Sequence, residues 1–256
     1  MGNLSNTGRI FFGVSIAVMG LLIIYYNDFP YMLFPAPPLQ IPGLVYIFGL
    51  LFILAGACIF FEKKTRPVSL VFGFILLMIF CFFYLPYEFG VSSNYKNLME
   101  WDNPGKELAL AGGAFVMAGG FAEKNKNRLS ILGEKFMPFG AILFSLPVIT
   151  FGILHLLYTK DLSSLVPSWI PRPVFWTYLA GVALIGSGIS MIFSIKTRLI
   201  ATLLGSMIFI WFAILHVPRI INSPVTDLEG EVTSAFLALA YSGIAFVIAG
   251  AHKKAD

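Results

Sequence analysis

The sequence predicts an all-α membrane protein with eight transmembrane helices, arranged as two parallel four-helix bundle repeats. Three observations lead to this fold class. Hydrophobic residues make up 58% of the chain and charged residues only 12%, whereas a soluble domain carries about 25% charged residues. The mean hydropathy is +0.84, and the apolar residues are gathered into eight runs. Finally, the second half of the chain resembles the first half when it is shifted by 132 residues.

Each apolar run is close to the length needed to cross the hydrocarbon core, about 20 helical residues at roughly 1.5 Å per residue. The predicted spans are residues 10–26, 43–61, 67–86, 107–122, 137–158, 174–194, 199–217 and 232–251. The first run has the length of a signal-peptide core, but no small-residue cleavage site follows it. We therefore expect this run to be retained as a helix.

Lys and Arg residues are concentrated in alternate loops. Most of the 17 basic residues lie near the N-terminus, in the turns at 62–66 and 195–198, in the loop at 123–135, and in the C-terminal tail. Because cytoplasmic loops are enriched in basic residues, we expect a multi-pass plasma (inner) membrane protein with both termini in the cytoplasm. The basic residues form no continuous stripe, which argues against nucleic acid as a partner.

The internal similarity is carried mainly by glycines and by one basic turn. The matched positions include Gly20 and Gly152, Gly49 and Gly181, Gly56 and Gly188, Gly73 and Gly205, and the KTR sequences at 64–66 and 196–198. The last helix continues the match at an offset of 131. A unit of four spans inserts twice in the same orientation, so we predict parallel repeats over residues 1–128 and 129–256. The matched glycines are expected to let helices pack closely.

Two histidines distinguish the second half from the first. His155 and His216 each lie near the end of an apolar run, where the first half has Ile23 and Tyr84. Both runs cross the membrane in the same direction, so the imidazoles are expected at similar depth, toward the outer face. Such a pair can ligate haem or a metal, or bind a quinone carbonyl and move its proton. Two ligands without a third do not define a metal site, and each histidine can instead be an interfacial residue bonded to a backbone carbonyl or to water.

Polar and aromatic residues near the histidines complete the candidate ligand-binding site. They are Tyr158, Asp161, Trp169, Trp211, Arg219 and, at the position in the first half that matches His216, Tyr84. Tyr158 and Arg219 each follow a histidine by three residues, which places them on the same helical face. Arg219 can hold an anion or pair with Asp161. The tryptophans can instead belong to the aromatic belt of the membrane interface.

Four segments of the second half carry a family resemblance. They are FGILHLLY at 151–158, LVPSWIP at 165–171, WTYLAGVALIGSGI at 176–189 and LLGSMIFIWFAILHVPR at 203–219. Through them the chain resembles DoxX-like membrane proteins over residues 137–251, whereas the first half keeps the spacing and the glycines but lacks both histidines. The resemblance implies a four-helix membrane bundle related to a small subunit that associates with thiosulfate:quinone oxidoreductase.

Three functions are open at this point. The first is a redox-linked accessory subunit, placed beside a partner membrane or redox subunit, whose outer-side histidine pocket takes quinone, haem or a small sulfur compound. The second is a small-molecule transporter, which the scarcity of charges in the spans disfavours. The third is a structural or assembly subunit without catalysis. Cys58 and Cys81 lie in successive spans near opposite membrane faces and form no C-x-x-C motif, which argues against thiol–disulfide exchange.

Overall fold

The structure, a computed structural model, describes residues 2–35, 43–92, 94–121 and 128–252, and these ranges contain helices and no strand. The helices are α1 (Gly2–Tyr26), α2 (Leu44–Phe60), α3 (Thr65–Ile79), α4 (Leu85–Gly90), α5 (Asp102–Gly119), α6 (Arg128–Leu157), α7 (Thr159–Ser163), α8 (Pro173–Ile192), α9 (Thr197–Trp211), α10 (Val217–Asn222) and α11 (Leu228–Ala251). A 3-10 turn at Leu98–Trp101 leads into α5. Two π-helical turns, Phe80–Tyr84 and Phe212–His216, join α3 to α4 and α9 to α10.

Six helical segments in the described part of the chain are long and apolar enough to cross a bilayer. They are Asn3–Tyr26, Thr65–Gly90, Ile131–Leu157, Pro173–Ile192, Thr197–Asn222 and Leu228–Ala251. The protein is therefore an α-helical, multi-pass membrane protein. The other two predicted spans, 43–61 and 107–122, coincide with α2, which has 17 residues, and α5, which begins with the charged residues Asp102, Lys106 and Glu107.

The two π-helical turns occur where a proline disturbs the helix. Pro86 and Pro218 each lie two residues after a π turn. Proline has no N–H to donate and its ring clashes with the carbonyl four residues earlier, which here lies inside the π turn. The helices nevertheless continue to Gly90 and Asn222. The spans predicted to end at residues 86 and 217 were therefore drawn too short, because the wider turn accommodates the proline.

The first and last helices of the chain lie side by side. α1 packs on α11, α11 contacts α5, and α5 packs on α6, so these four helices form a row through the molecule. α2 and α8 pack on the outer ends of this row, against α1 and α6, while α3 and α9 pack against α5 and α11. Helices from both sides of residue 128 therefore share the core.

Glycines bring the helices of the row into backbone contact. A Cβ atom at Gly112 would lie 2.6 Å from the carbonyl oxygen of Gly140, and one at Gly243 would lie 2.5 Å from that of Gly8. Two further pairs join the row to its outer helices: a Cβ at Gly20 would lie 2.6 Å from Gly49 O, and one at Gly152 would lie 2.7 Å from Gly181 O. The prediction that the glycines serve close helix packing is confirmed, since any side chain at these positions would force the helices apart.

Two glycines on α8 allow a matched test of this packing. A Cβ at Gly188 would meet the backbone oxygen of Ser145 at 2.8 Å, whereas a Cβ at Gly186 would meet nothing within 4 Å. We expect Gly188→Ala to lower the free energy of unfolding by about 1–3 kcal/mol, the usual cost of overpacking. The measurement is SDS-induced unfolding in mixed micelles. Gly186→Ala is the control, because it brings the same gain in helix propensity without the clash; equal behaviour of the two variants would contradict the packing role.

Candidate functional site

A pocket of about 360 Å³ lies at the end of the bundle opposite the chain termini. Its wall is formed by the end of α6, the first half of α8, the end of α9 with the following π turn, the beginning of α11, and the loop after α7. Most of the lining is apolar, and the exceptions include His155, His216 and Tyr241. The volume lies within the range of about 300–1,000 Å³ that is common for small-molecule sites.

His155 reaches the pocket from the last turn of α6, and a hydrogen bond fixes its ring. Its Nδ1 lies 2.7 Å from the carbonyl oxygen of Phe151, one helical turn earlier. Because a carbonyl only accepts, Nδ1 must carry the proton and donate it. In the neutral imidazole, Nε2 then keeps its lone pair and can accept a hydrogen bond or bind a metal.

His216 is the last residue of the second π turn and faces the same pocket. Its Nδ1 is buried and has no hydrogen-bond partner among the described residues. Buried polar atoms without partners are uncommon in proteins, and they often mark a site for a ligand or an ordered water. The pocket therefore contains two imidazoles, one with a fixed tautomer and one with an unsatisfied nitrogen.

Charged groups at the start of α5 form one side of the pocket. Lys106 Nζ lies 2.5 Å from Asp102 Oδ2 and donates a second hydrogen bond, of 2.9 Å, to Asn103 Oδ1. Both Asp102 and Lys106 line the pocket. The predicted fourth span begins at residue 107, after this charged turn, so neither residue was among the predicted site residues. The signal in the sequence was the presence of charged residues directly before an apolar run.

The predicted site residues fall into two groups. His155, His216 and Trp211 line the pocket. Tyr158 lies outside the lining and donates a hydrogen bond of 2.7 Å to Asn97 Oδ1. Asp161 is exposed, and Trp169 is 68% exposed at the surface of the loop.

Arg219 has a partner that the sequence analysis did not identify. Its guanidinium donates two hydrogen bonds to the carboxylate of Glu231, with Nε 2.8 Å from Oε2 and Nη2 bonded to Oε1. The suggested pairing of Arg219 with Asp161 is therefore wrong. The reason is that α10 packs against the beginning of α11, which brings Glu231 to the arginine.

Tyr84, at the end of the other π turn, is also outside the pocket. It is only 2% exposed and lies in the hydrophobic core that helices from both halves share. Its hydroxyl has no hydrogen-bond partner among the described residues. The last residues of the two π turns therefore have different surroundings: Tyr84 lies in the core, and His216 lines the pocket.

Phenylalanines fill the region of the first half that corresponds in sequence to the pocket. The ring of Phe34 lies 5.6 Å from that of Phe48 and 6.3 Å from that of Phe52, and both Phe34 and Phe52 are buried. The residues 132 positions later all line the pocket: Val166, Ala180 and Leu184. Because each of these side chains is smaller than phenylalanine, the space that aromatic rings occupy in the first half is open in the second.

The fold and the pocket define a class: an α-helical membrane protein with a mostly apolar, histidine-containing pocket at one end of its bundle. In the described part of the chain, no three His, Cys, Asp or Glu side chains are grouped as metal ligands. Comparisons of the chain with family models, with curated proteins and with solved structures returned no match.

The Arg219–Glu231 pair is testable by a double-mutant cycle. The side chains are 34% and 17% exposed, so we expect a coupling energy of about 1–3 kcal/mol, between the values for exposed and for buried pairs. The measurement is SDS unfolding of Arg219→Ala, Glu231→Ala and the double variant. Asp161→Ala combined with Arg219→Ala serves as the control cycle and should show no coupling; coupling to Asp161 instead of Glu231 would contradict the assigned pair.

Proposed function

We propose that the protein is a redox-linked membrane subunit that binds a quinone or quinol ring in the pocket between His155 and His216. The observation that carries the proposal is that two imidazoles line one mostly apolar pocket, where His155 can present Nε2 and His216 has an unpartnered Nδ1. Recognition sites for small aromatic molecules commonly combine such apolar walls with a few polar groups that fix orientation. The resemblance of residues 137–251 to DoxX-like proteins supports the same class of function.

The polar groups of the pocket fit the two oxygens of a quinol ring. Nε2 of neutral His155 is an acceptor, suited to a hydroxyl group, because Nδ1–H is committed to Phe151. The unsatisfied Nδ1 of His216 can bond the second oxygen, as acceptor or donor according to its tautomer. A bound quinone supplies two-electron, two-proton chemistry. In that setting Nε2 of His155 would accept the proton that leaves the hydroxyl group, while the partner redox subunit would take the electrons.

The apolar walls would hold the ring and keep water out. Trp176 and Trp211 both line the pocket and offer flat faces for an aromatic ring. The indole N–H of Trp176 is bonded to Pro171 O at 3.1 Å, which fixes this side chain. Leu154 and Leu184 lie among the lining residues and are buried. An isoprenoid tail would extend from such a site into the surrounding lipid.

The proposal includes a finer architecture of two parallel four-helix repeats over residues 1–128 and 129–256. Two backbone features recur after 132 residues and support this architecture. One is the π turn, at Phe80–Tyr84 and again at Phe212–His216. The other is the left-handed backbone conformation of Lys64 and Lys196. Helices α2 and α5 would be the remaining two of eight spans. The polar start of α5 is compatible with this, because Glu107 is buried in protein and the half-buried Asp102 and Lys106 line the pocket.

The proposed orientation places the pocket at the outer face of the plasma membrane and both termini in the cytoplasm. Its support is the concentration of Lys and Arg in the loops on the side of the termini. A partner membrane or redox subunit would then deliver or remove electrons from the outer side.

The central test is the ligand content of protein purified in mild detergent. We expect organic extraction to release quinone, and a short-chain quinol to quench tryptophan fluorescence, because two of the four tryptophans line the pocket. His216→Ala should weaken this binding about 10-fold, corresponding to the loss of one hydrogen bond of about 1–1.5 kcal/mol. The matched control is His252→Ala, since His252 lies outside the pocket at the end of α11.

Several outcomes would overturn the proposal. Protein without extractable quinone, and fluorescence unaffected by the quinol, would exclude a quinone site. A haem absorption spectrum lost in His155→Ala and His216→Ala would show that the imidazoles are axial ligands instead. Quenching that is equal in His216→Ala and wild type would show that the ring binds elsewhere.

A second test fills the pocket from α8. Residue 48, which matches Ala180 at the offset of 132, is a phenylalanine, so the fold should tolerate Ala180→Phe. The added ring should reduce the volume of the cavity. We expect quinol binding to weaken by 10-fold or more, about 1.4 kcal/mol or above. Val182→Phe is the matched control, because Val182 lies on the same helix, is 61% exposed and does not line the pocket. Unchanged binding in Ala180→Phe would place the ligand outside this cavity.

A further inference from the structure

Glu107 is a fully buried acid beside the pocket, and the proposed quinone site does not use it. It lies on α5 with 0% of its surface exposed, and neither carboxyl oxygen has a hydrogen-bond partner among the described residues. The nearest basic residue in sequence, Lys106, already bonds Asp102 and Asn103. Glu107 therefore has no counter-ion in the described structure.

Two buried tyrosines lie on elements that pack against α5: Tyr84 on the first π turn and Tyr241 on α11. The hydroxyl of Tyr84 has no partner, while that of Tyr241 donates to the carbonyl oxygen of Lys106 at 3.3 Å. Tyr241 also lines the pocket. Glu107, Tyr84 and Tyr241 are thus buried polar side chains on α5 and two elements packed against it, and Tyr241 also forms part of the pocket wall.

Burial decides the protonation state of such a carboxyl group. An ionised carboxylate in an apolar interior, without a positive partner, is far less stable than the neutral acid. A neutral acid also carries an O–H donor, which suits a phenol oxygen such as that of Tyr84. Apart from Glu107, the tyrosines and Cys81, the titratable side chains of α5 and of the elements packed against it are Asp102 and Lys106 on α5, Glu100 on the 3-10 turn, Arg66 on α3, Arg128, Glu134, Lys135 and His155 on α6, and Glu229 and Glu231 on α11.

We propose that Glu107 is a proton-binding site of the membrane core, in which Glu107 holds one proton as a neutral carboxylic acid and Tyr84 and Tyr241 are its polar neighbours. The ligand of this site is a proton. Its carrier, Glu107, directly follows Lys106, which lines the pocket. The proposal goes beyond the proposed quinone site and does not depend on a ligand in the pocket, because it rests on the burial and missing partners of Glu107 itself.

Infrared spectroscopy of quinone-free protein at neutral pH tests the proposal. A protonated carboxyl group gives a C=O stretching band that is distinct from carboxylate bands and shifts in D₂O. We expect this band in the wild type, complete loss of it in Glu107→Gln, and retention in Glu107→Asp. The matched control is Glu100→Gln, because Glu100 is exposed whereas Glu107 is fully buried. Glutamate labelled with ¹³C identifies the band in the wild type even where Glu107→Gln does not fold.

The result that overturns the proposal is equally specific. Absence of a protonated glutamate band in the wild type would show that Glu107 is ionised and has a counter-ion. A band that disappears in Glu88→Gln and persists in Glu107→Gln would assign the proton to Glu88, which is 4% exposed and has its own unpartnered oxygen. His216→Ala should leave the band unchanged, so failure of the quinone site and failure of the proton site give different results.

Discussion

Close backbone contact at glycines is the constraint on which the rest of the structure depends. Lipid is as apolar as leucine, so helices in a bilayer gain little from burying apolar surface and associate through van der Waals packing. Gly112 against Gly140, and Gly243 against Gly8, hold α5 to α6 and α11 to α1. These contacts fix the row of central helices and so determine which side chains face the pocket and which face the core. The charged start of α5 reaches the pocket because this helix is held against α6 and α11.

The apolar pattern was sufficient to predict the helices, but not their polar ends. Every predicted span coincides with a helix in the described structure, because runs of apolar residues of this length have no other stable form in lipid. The pattern failed at residues 102–106, where Asp102 and Lys106 are half-buried against neighbouring helices and line the pocket. The predicted spans also end too early, at residues 86 and 217, because the π turns that accommodate Pro86 and Pro218 leave no hydropathy signal. In both places the structure depends on helix contacts or backbone geometry that the hydropathy pattern does not contain.

The sequence placed a residue correctly in the pocket lining only where its position along a single helix was sufficient. His155, His216 and Trp211 each lie near a helix end and line the pocket, as their positions along the apolar runs suggested. The partner of Arg219 depended instead on the contact between α10 and α11, which brings Glu231 to it. Glu107 was counted only as the first residue of a predicted span. Its complete burial results from α5 lying inside the bundle, and no local pattern predicts that.

A comparison of the two halves gives a physical reason why the cluster of Phe34, Phe48 and Phe52 in the first half corresponds in sequence to part of the pocket wall. Under the proposed duplication, the two units share helix contacts and π turns, so the difference must come from side chains. In the first half, phenylalanines close the space, and Glu107 stands where the second half has Ala238, which lines the pocket. Smaller residues in the second half open the space and leave His216 facing it. If the two halves are repeats, a change of side-chain volume on a repeated backbone would account for both features: the buried acid at residue 107 and the pocket-lining alanine at residue 238.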